Sequence, residues 1–378
     1  MDLSVLVVGQ TPPDLGGIAM FVSRMASHDP APGWRMSVFS TSKGISQRGE
    51  HLGVWKGSAQ ATIRNLARST ALLIRYFLRL LRDKPTIVHI HTSHSMGFWW
   101  NSLFVLIAHF VGSGAVLHIH GSQFAHFYGE LPGPLQGVVR WLLAHADAVI
   151  ALSPSLGRYI QTECGVRNVY TVPNGVPGAF FRPPEEHATV QPTEPLRLLF
   201  VGSVVERKGI FDLLEALASI PGGTACLDIV GGGKIAEAQE AAERLGIADR
   251  VRIWGPLEGD PLLAAYRSAE VLVLPSYHEG VPLVVLEAMA SGLGVIATPV
   301  GGIPDVLTDG QDALLVPPGD VKALATAIRR LAADRRLLHD IALAGQQRAM
   351  TYSFDATMER IWKVYDDVLL AKKENRAR

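Results

Sequence analysis

The sequence predicts an α/β protein made of two doubly wound domains joined by a linker. Short, β-branched apolar runs alternate with amphipathic helical stretches from the first residues onward, the pattern of parallel strands with covering helices. The alternation stops in a Pro- and Glu-rich stretch over residues 177–195 and restarts at Leu196. At 378 residues the chain is long enough for two cores of ordinary size. The expected division is residues 1–180, a linker at 181–195, a second domain at 196–352 and a final helical segment at 353–378.

Composition narrows the function classes. An apolar fraction of 48% with 19% charged residues suits a soluble α/β protein with much buried sheet. Cys164 and Cys226 stand far apart and are the two cysteines of the chain, which excludes a disulfide scaffold and suits a reducing cytoplasm. The first residues, Met1-Asp-Leu-Ser, lack a basic region, so no signal peptide is expected. Up to Pro184 there are 15 basic against 8 acidic residues, and beyond it 20 against 27. A basic first half fits an anionic acceptor, a membrane surface, or a partner for the acidic half.

In the first half, Leu3 to Gly9 reads as a buried strand, and Gly16-Gly17 as a tight turn opening a helix over 18–27. A second strand covers 35–39. Residues 61–84 have helical periodicity, with Arg64, Arg68, Arg75, Arg79 and Arg82 near one side. Such a helix either covers a sheet with its arginines solvated or lies on an anionic bilayer. The strand 87–92 carries His89 and His91. Residues 97–111 are the most apolar stretch, yet too short for a membrane span, and read as a buried helix. The strand from Ala115 carries His118 and His120, whose i, i+2 spacing puts both rings on one face. Metal binding there lacks further ligands at useful spacing. A helix over 135–146, a strand over 148–152, Ser153 as N-cap of a helix over 154–162 and a strand over 168–172 complete this half.

In the second half, the strand 196–202 leads into Ser203-Val-Val-Glu-Arg207-Lys208-Gly209, which opens a helix over 210–219. Two cations and a glycine at a helix N-terminus make a cradle for a diphosphate. Strands at 227–230 and 250–255 follow, the first running into Gly231-Gly-Gly-Lys234. Val271 to Leu274 is a buried strand. Beyond it, Glu279 and Glu287 stand with seven residues between them, bracketing Gly280, Val281, Pro282 and Leu283. Pro282 suits the first position of a helix and Gly292 its end. Glu287 then falls about one and a half turns in, and the N–H groups of Val281, Leu283 and Val284 favour an anion. Gly301-Gly302, a strand at 313–317, a helix at 321–333 and an amphipathic helix at 354–373 close the chain.

The segment "EGVPLVVLEAMASG", read as E-x7-E from Glu279 to Glu287, resembles the signature of retaining glycosyltransferase family 4. The resemblance covers nearly the whole chain. "ERKG" resembles that family's basic donor-phosphate loop, "HIHG" its N-domain histidine loop, "PNG" at 173–175 its domain junction, and "GGIP" at 301–304 its second glycine turn. It implies the GT-B fold: two Rossmann-like domains facing across a deep cleft, with a C-terminal helix crossing back to the first.

It also implies roles. Gly16 and Gly17 lie beside the donor diphosphate, and His120 reaches the donor sugar. Arg207 and Lys208 hold the diphosphate, Glu287 binds ribose and Glu279 sugar hydroxyls. The implied reaction moves a sugar from a UDP- or GDP-sugar to a glycan or lipid-linked acceptor in cell-surface polysaccharide synthesis, with retention and without an assigned protein nucleophile. No Asp-x-Asp motif is present, so no metal and no cofactor beyond the co-substrate is expected. The expected place is the cytoplasm or its membrane face, touched through Arg64, Arg68, Arg75 and Arg79, with no nucleic-acid partner. His278 beside Glu279 leaves the sugar open. The rival classes are a nucleotide-sugar epimerase, a non-catalytic nucleotide-sugar sensor, and a dinucleotide oxidoreductase, the last disfavoured because no strand is followed by G-x-G-x-x-G.

Overall fold

The eleven apolar runs read as strands are strands, and with Gly294–Ala297 they pair in parallel in two separate six-stranded sheets. The computed structural model describes residues 3–12, 17–42, 59–121, 123–183 and 195–377. The chain divides into two units, one of Met1–Val172 with Met358–Arg378 and one of Pro173–Thr357.

The first unit runs β1 (Leu3–Gly9), α1 (Gly17–Ser27), β2 (Trp34–Ser40), α2 (Ala59–Asp83), β3 (Ile87–Thr92), α3 (Met96–Phe110), β4 (Gly114–Ile119), α4 (Phe124–Gly129), α5 (Gly133–Ala144), β5 (Ala148–Ala151), α6 (Pro154–Glu163) and β6 (Val169–Thr171). Its strand order is β2-β1-β3-β4-β5-β6. The connections from β2 to β5 all advance in one direction, so right-handed crossovers put α2, α3 and α5 on one face and α1 on the other. Tyr76, Phe104 and Val139 from those three helices pack with Val88, Ile90, Leu117 and Ile119 in one core. The apolar stretch 97–111 is α3, and among the described residues no helix is long and apolar enough to cross a membrane. Ser153 caps α6 as expected, its hydroxyl accepting from the Leu156 N–H at 3.2 Å.

The outer face of α2 differs from a plain arginine face. Arg68 and Arg75 are exposed, but so are Ile74, Leu78 and Leu81, which share one stripe beside them. Arg79 is half-buried and paired with Asp83. The side chain of Arg64 lies outside the described residues.

The second unit runs β7 (Leu196–Val201), α7 (Ile210–Ala218), β8 (Ala225–Val230), α8 (Ile235–Arg244), β9 (Val251–Gly255), α9 (Gly259–Ser268), β10 (Val271–Leu274), α10 (Leu283–Ala290), β11 (Gly294–Ala297), α11 (Ile303–Val306), β12 (Leu314–Leu315), α12 (Val321–Ala333) and α13 (Arg335–Ala349). The order β12-β11-β10-β7-β8-β9 reverses direction between β7 and β10. Loops leaving the C-terminal ends of those two strands therefore diverge at a topological switch point, the usual ligand crevice of such sheets.

The final helix, α14 (Phe354–Ala377), returns to the first unit and buries Met358, Ile361, Trp362, Tyr365 and Val368 there on one side. Trp34 lies 5.6 Å from Trp362 and 5.7 Å from Tyr365, ring centre to ring centre.

Under α14 lies a layer of histidines. The parallel register of β3 and β4 sets His91 opposite His118, so His89, His91, His118 and His120 share one face of the sheet. The Tyr365 hydroxyl is 2.6 Å from His89 Nδ1, and His89 Nε2 is 3.2 Å from His118 Nδ1. Burial pushes His89 and His120 down to about 3, and His91 and His118 well below the ordinary imidazole range. All four rings are neutral. An unfolded histidine takes up its proton near pH 6.5, which these rings do only far lower. Stability is therefore full above about pH 6.5 and falls as acid approaches the folded values. Between about pH 7.5 and 5.5 each such ring costs about 1.4 kcal/mol of unfolding free energy. Urea unfolding followed through Trp34 and Trp362 is expected to show a loss of several protons' worth, and an unchanged midpoint would refute the neutral layer.

Candidate active site

The loops at the switch point of the second unit carry six of the predicted site residues, Arg207, Lys208, Glu279, Gly280, Val281 and Pro282. After β7, a single helical turn over Glu206–Lys208 ends at Gly209, whose φ of 68° is left-handed. A Cβ there would lie 2.0 Å from the Pro275 carbonyl oxygen, so only glycine lets this turn touch the loop after β10. The Tyr277 N–H donates to the Arg207 carbonyl at 2.9 Å across the same junction. The two loops are thereby zipped together, and Lys208 Nζ reaches Glu279 Oε1 at 2.5 Å. The Ser276 hydroxyl donates to that same oxygen at 2.7 Å. Both side chains of the ion pair are largely buried, at 14% and 8% exposure. The side chain of Arg207 is exposed at the turn.

The second glycine turn supports the loop from below. Gly301, with φ 58°, sits so close that a Cβ would fall 1.8 Å from the Glu279 carbonyl oxygen. The Gly302 N–H donates to the Gly280 carbonyl at 2.9 Å. Thr298, at the end of β11, donates its hydroxyl to the Ser276 carbonyl.

Pro282 is placed one residue earlier than expected. It is the N-cap of α10 with φ −72° and ψ 123°, and the helix opens at Leu283. A proline's locked φ suits either position, but an extended ψ at Pro282 delays the helix by one step. Glu287 is thus the fifth helical residue, little more than one turn in. The N–H groups of the first turn, Leu283 and Val284, have no carbonyl of their own helix to donate to. Gly292, with φ 72°, follows the end of the helix as predicted.

Glu287 is 5% exposed and accepts from the Tyr266 hydroxyl of α9 at 2.9 Å. Burial first, and then the Glu287 charge, pushes the Tyr266 phenol far above its ordinary range, so it stays a donor. Asn174 Nδ2 is 3.5 Å from the Val281 carbonyl, tying the "PNG" turn to the same loop. Tyr266 had no sequence signal, and Asn174, in the "PNG" string read as the domain junction, gave no sign of its bond to this loop. Ser276, three residues before Glu279, could have been found from its spacing.

The triple-glycine loop is explained by packing. Gly231 and Gly233 have φ of 147° and 120°, and Cβ atoms there would meet the Gly202 and Val204 carbonyl oxygens at 1.8 and 2.7 Å. Lys234 pairs with Glu206 at 2.6 Å.

In the first unit, Gly16 lies outside the described residues and Gly17 is the first residue of α1, where a Cβ would meet nothing within 4 Å. His120 stands at the end of β4, its Nε2 2.8 Å from His91 Nδ1. The expectation that the His118 and His120 pair has no further nitrogen ligands nearby is corrected by the strand register. Ring nitrogens of His89, His91 and His118 lie within 4.8 Å of one another. His89, however, is hydrogen-bonded at both nitrogens, to Tyr365 and to His118. This cluster is a hydrogen-bonded layer in the core.

Residues 195–334 match the model of glycosyl transferases group 1, and residues 15–179 that of glycosyltransferase family 4. The chain is 31% identical over 314 residues to the D-inositol 3-phosphate glycosyltransferase of Corynebacterium diphtheriae, covering 77% of this chain and 68% of that protein. It is 28% identical over 305 residues to the sulfoquinovosyl transferase SQD2 of Arabidopsis thaliana, covering 78% of this chain but 59% of that one. HepE of Anabaena, solved in complex with UDP-glucose, has a similar fold, with a TM-score of 0.72 at 17% identity over 97% of this chain and 100% of that one. The chain belongs to glycosyltransferase family 4, the group 1 glycosyl transferases, and has their two-domain GT-B fold.

Proposed function

We propose that the protein transfers a hexosyl group from a nucleoside-diphosphate sugar to a hydroxyl of a glycan or lipid-linked acceptor, with retention at the anomeric carbon. The observation that carries this is the Lys208–Glu279 pair beside the open first turn of α10, at the switch point of the second sheet. On this reading the donor diphosphate takes Arg207, Lys208 and the first-turn N–H groups. As the bond to the sugar breaks, charge develops on the leaving phosphate, and these fixed cations and dipoles stabilise it. They also supply what a divalent ion supplies elsewhere, so the reaction is proposed to need no metal.

Glu279 Oε1 is occupied by Lys208 and Ser276, and Oε2 is the atom proposed to accept from sugar hydroxyls. Glu287, held by Tyr266, is assigned to ribose. In the first unit His120 is the proposed contact to the sugar, with Gly17 near the diphosphate. Neither glutamate is assigned as a nucleophile. The UDP-glucose in the HepE structure supports a UDP-sugar ahead of a GDP-sugar as donor.

A lipid-linked acceptor fits the outer face of the first unit. Ile74, Leu78 and Leu81 of α2, Phe110 of α3 and Trp141 of α5 are exposed large apolar side chains on three helices of one sheet face. Ring contacts from His109 through His145 to Trp141 join the ends of α3 and α5. With Arg68 and Arg75 alongside, this face is proposed to rest on the anionic cytoplasmic leaflet.

Titration with UDP-, GDP- and ADP-sugars tests the donor site. One donor is expected to bind saturably, and Glu287→Ala and Arg207→Ala should each weaken it at least about tenfold, some 1.4 kcal/mol. A folded protein that binds none of them refutes the transferase reading, and epimerisation of the donor without acceptor would replace it. For the surface, co-sedimentation with vesicles rich in phosphatidylglycerol is expected, weakened about tenfold or more in Leu78→Ser/Phe110→Ser and by salt. Equal recovery with neutral vesicles, or none with either, would remove the membrane from the proposal.

A further inference from the structure

We propose that His91 is a positioning residue for His120: it holds the ring in place and ties the tautomer of His120 to its own. This rests on the reading of His120 as the sugar contact of the first unit.

The register of β3 and β4 creates the contact. His91 lies opposite His118, and His120 follows two residues on, on the same face, so its ring can fold back over β3. His91 Nδ1 and His120 Nε2 are 2.8 Å apart. The backbone N–H of His120 donates to the Thr92 carbonyl at 2.8 Å, fixing the strand end from which the ring projects. Around the pair, the Phe21 ring of α1 lies 5.6 Å from His91 and 5.2 Å from His120, ring centre to ring centre. His91 is 2% exposed, and its Nε2 is buried without a hydrogen-bond partner among the described residues.

A neutral imidazole carries one proton on one of two nitrogens. In the hydrogen bond between His91 Nδ1 and His120 Nε2, one of those atoms carries a proton and the other does not. If His91 donates, then His120 is protonated at Nδ1 and offers a substrate oxygen an N–H. If His120 donates, its Nδ1 is bare and offers a lone pair, while His91 carries its proton on the sealed Nε2. The two rings therefore change tautomer together or not at all. Because His91 is sealed in the sheet layer, its proton has no exchange with solvent except through His120. His91 thus decides whether His120 donates or accepts, without itself touching the substrate.

The test uses the full chain with 15N-labelled histidine, the signals of His91 and His120 being assigned from the single variants. In the wild type each of the two rings is expected in one tautomer, and the same one. In His91→Leu the His120 signals should spread over both tautomers, and kcat should fall about 10- to 100-fold with KM within about threefold. His91→Asn, whose amide stands in the place of Nδ1 and can donate or accept there, should restore most of kcat. Opposite tautomers in the wild type, unchanged His120 signals in His91→Leu, or equal impairment of the Leu and Asn variants at matched melting temperature would overturn the proposal. Full activity in His120→Ala would instead overturn the role of His120, leaving the tautomer coupling to the spectra alone.

Discussion

Two glycines on either side of one loop set the geometry of the second unit. Gly209 and Gly301 press their backbones onto the segment after β10, at Pro275 and at Glu279, closer than any side chain allows. Their left-handed φ values are what let two neighbouring loops approach from opposite directions. The result is a strand-end loop that cannot relax outward, with Lys208, the residue that precedes the first glycine, delivered beside Glu279. The direction of α10, and with it the place of Glu287, follows from the same loop. An alanine at either glycine would act on the site through the backbone, with no charged group removed.

Much of the fold was legible because the strands are buried on both faces. Runs such as Val271 to Leu274 and Ile87 to Thr92 stand out against turn residues, and parallel pairing then follows from the helices between them. Helices with a wide apolar stripe, such as α12, were read with their observed bounds, Val321–Ala333. The fifteen-residue α13 and the one-turn α11 were not read as helices, and neither were three more. α8 buries Ala238, Ala241 and Ala242, side chains too small to mark a stripe. α4 is six residues long, and α9 opens on Gly259-Asp-Pro, which reads as a turn.

The site was legible to the extent that it is local. Glu279, Glu287, Arg207 and Lys208 belong to compact strings, and their types and spacing point to an anionic, hydroxyl-bearing ligand. The hydrogen bonds that hold them are not local. Tyr266 reaches Glu287 across 21 residues, and Asn174 reaches Val281 across 107. The histidine layer is an intermediate case: "HIH" occurs twice, 29 residues apart, with one helix between. Only the register of β3 against β4 turns two ordinary pairs into four rings on one face.

The two units meet different electrostatic demands. The second unit holds fixed positive charge at its switch point without stranding an ion in the protein interior. Lys208 keeps three N–H donors, of which Glu279 uses one, and Glu279 keeps an oxygen beyond the one that Lys208 and Ser276 share. Each partner thus holds the other in place while retaining hydrogen-bonding capacity. The first unit uses neutral groups. Buried imidazoles bonded to each other and to Tyr365 avoid the cost of a sealed charge. A paired charge with spare donors in one unit and sealed neutral rings in the other are two ways of placing polar groups in a sheet protein at little cost.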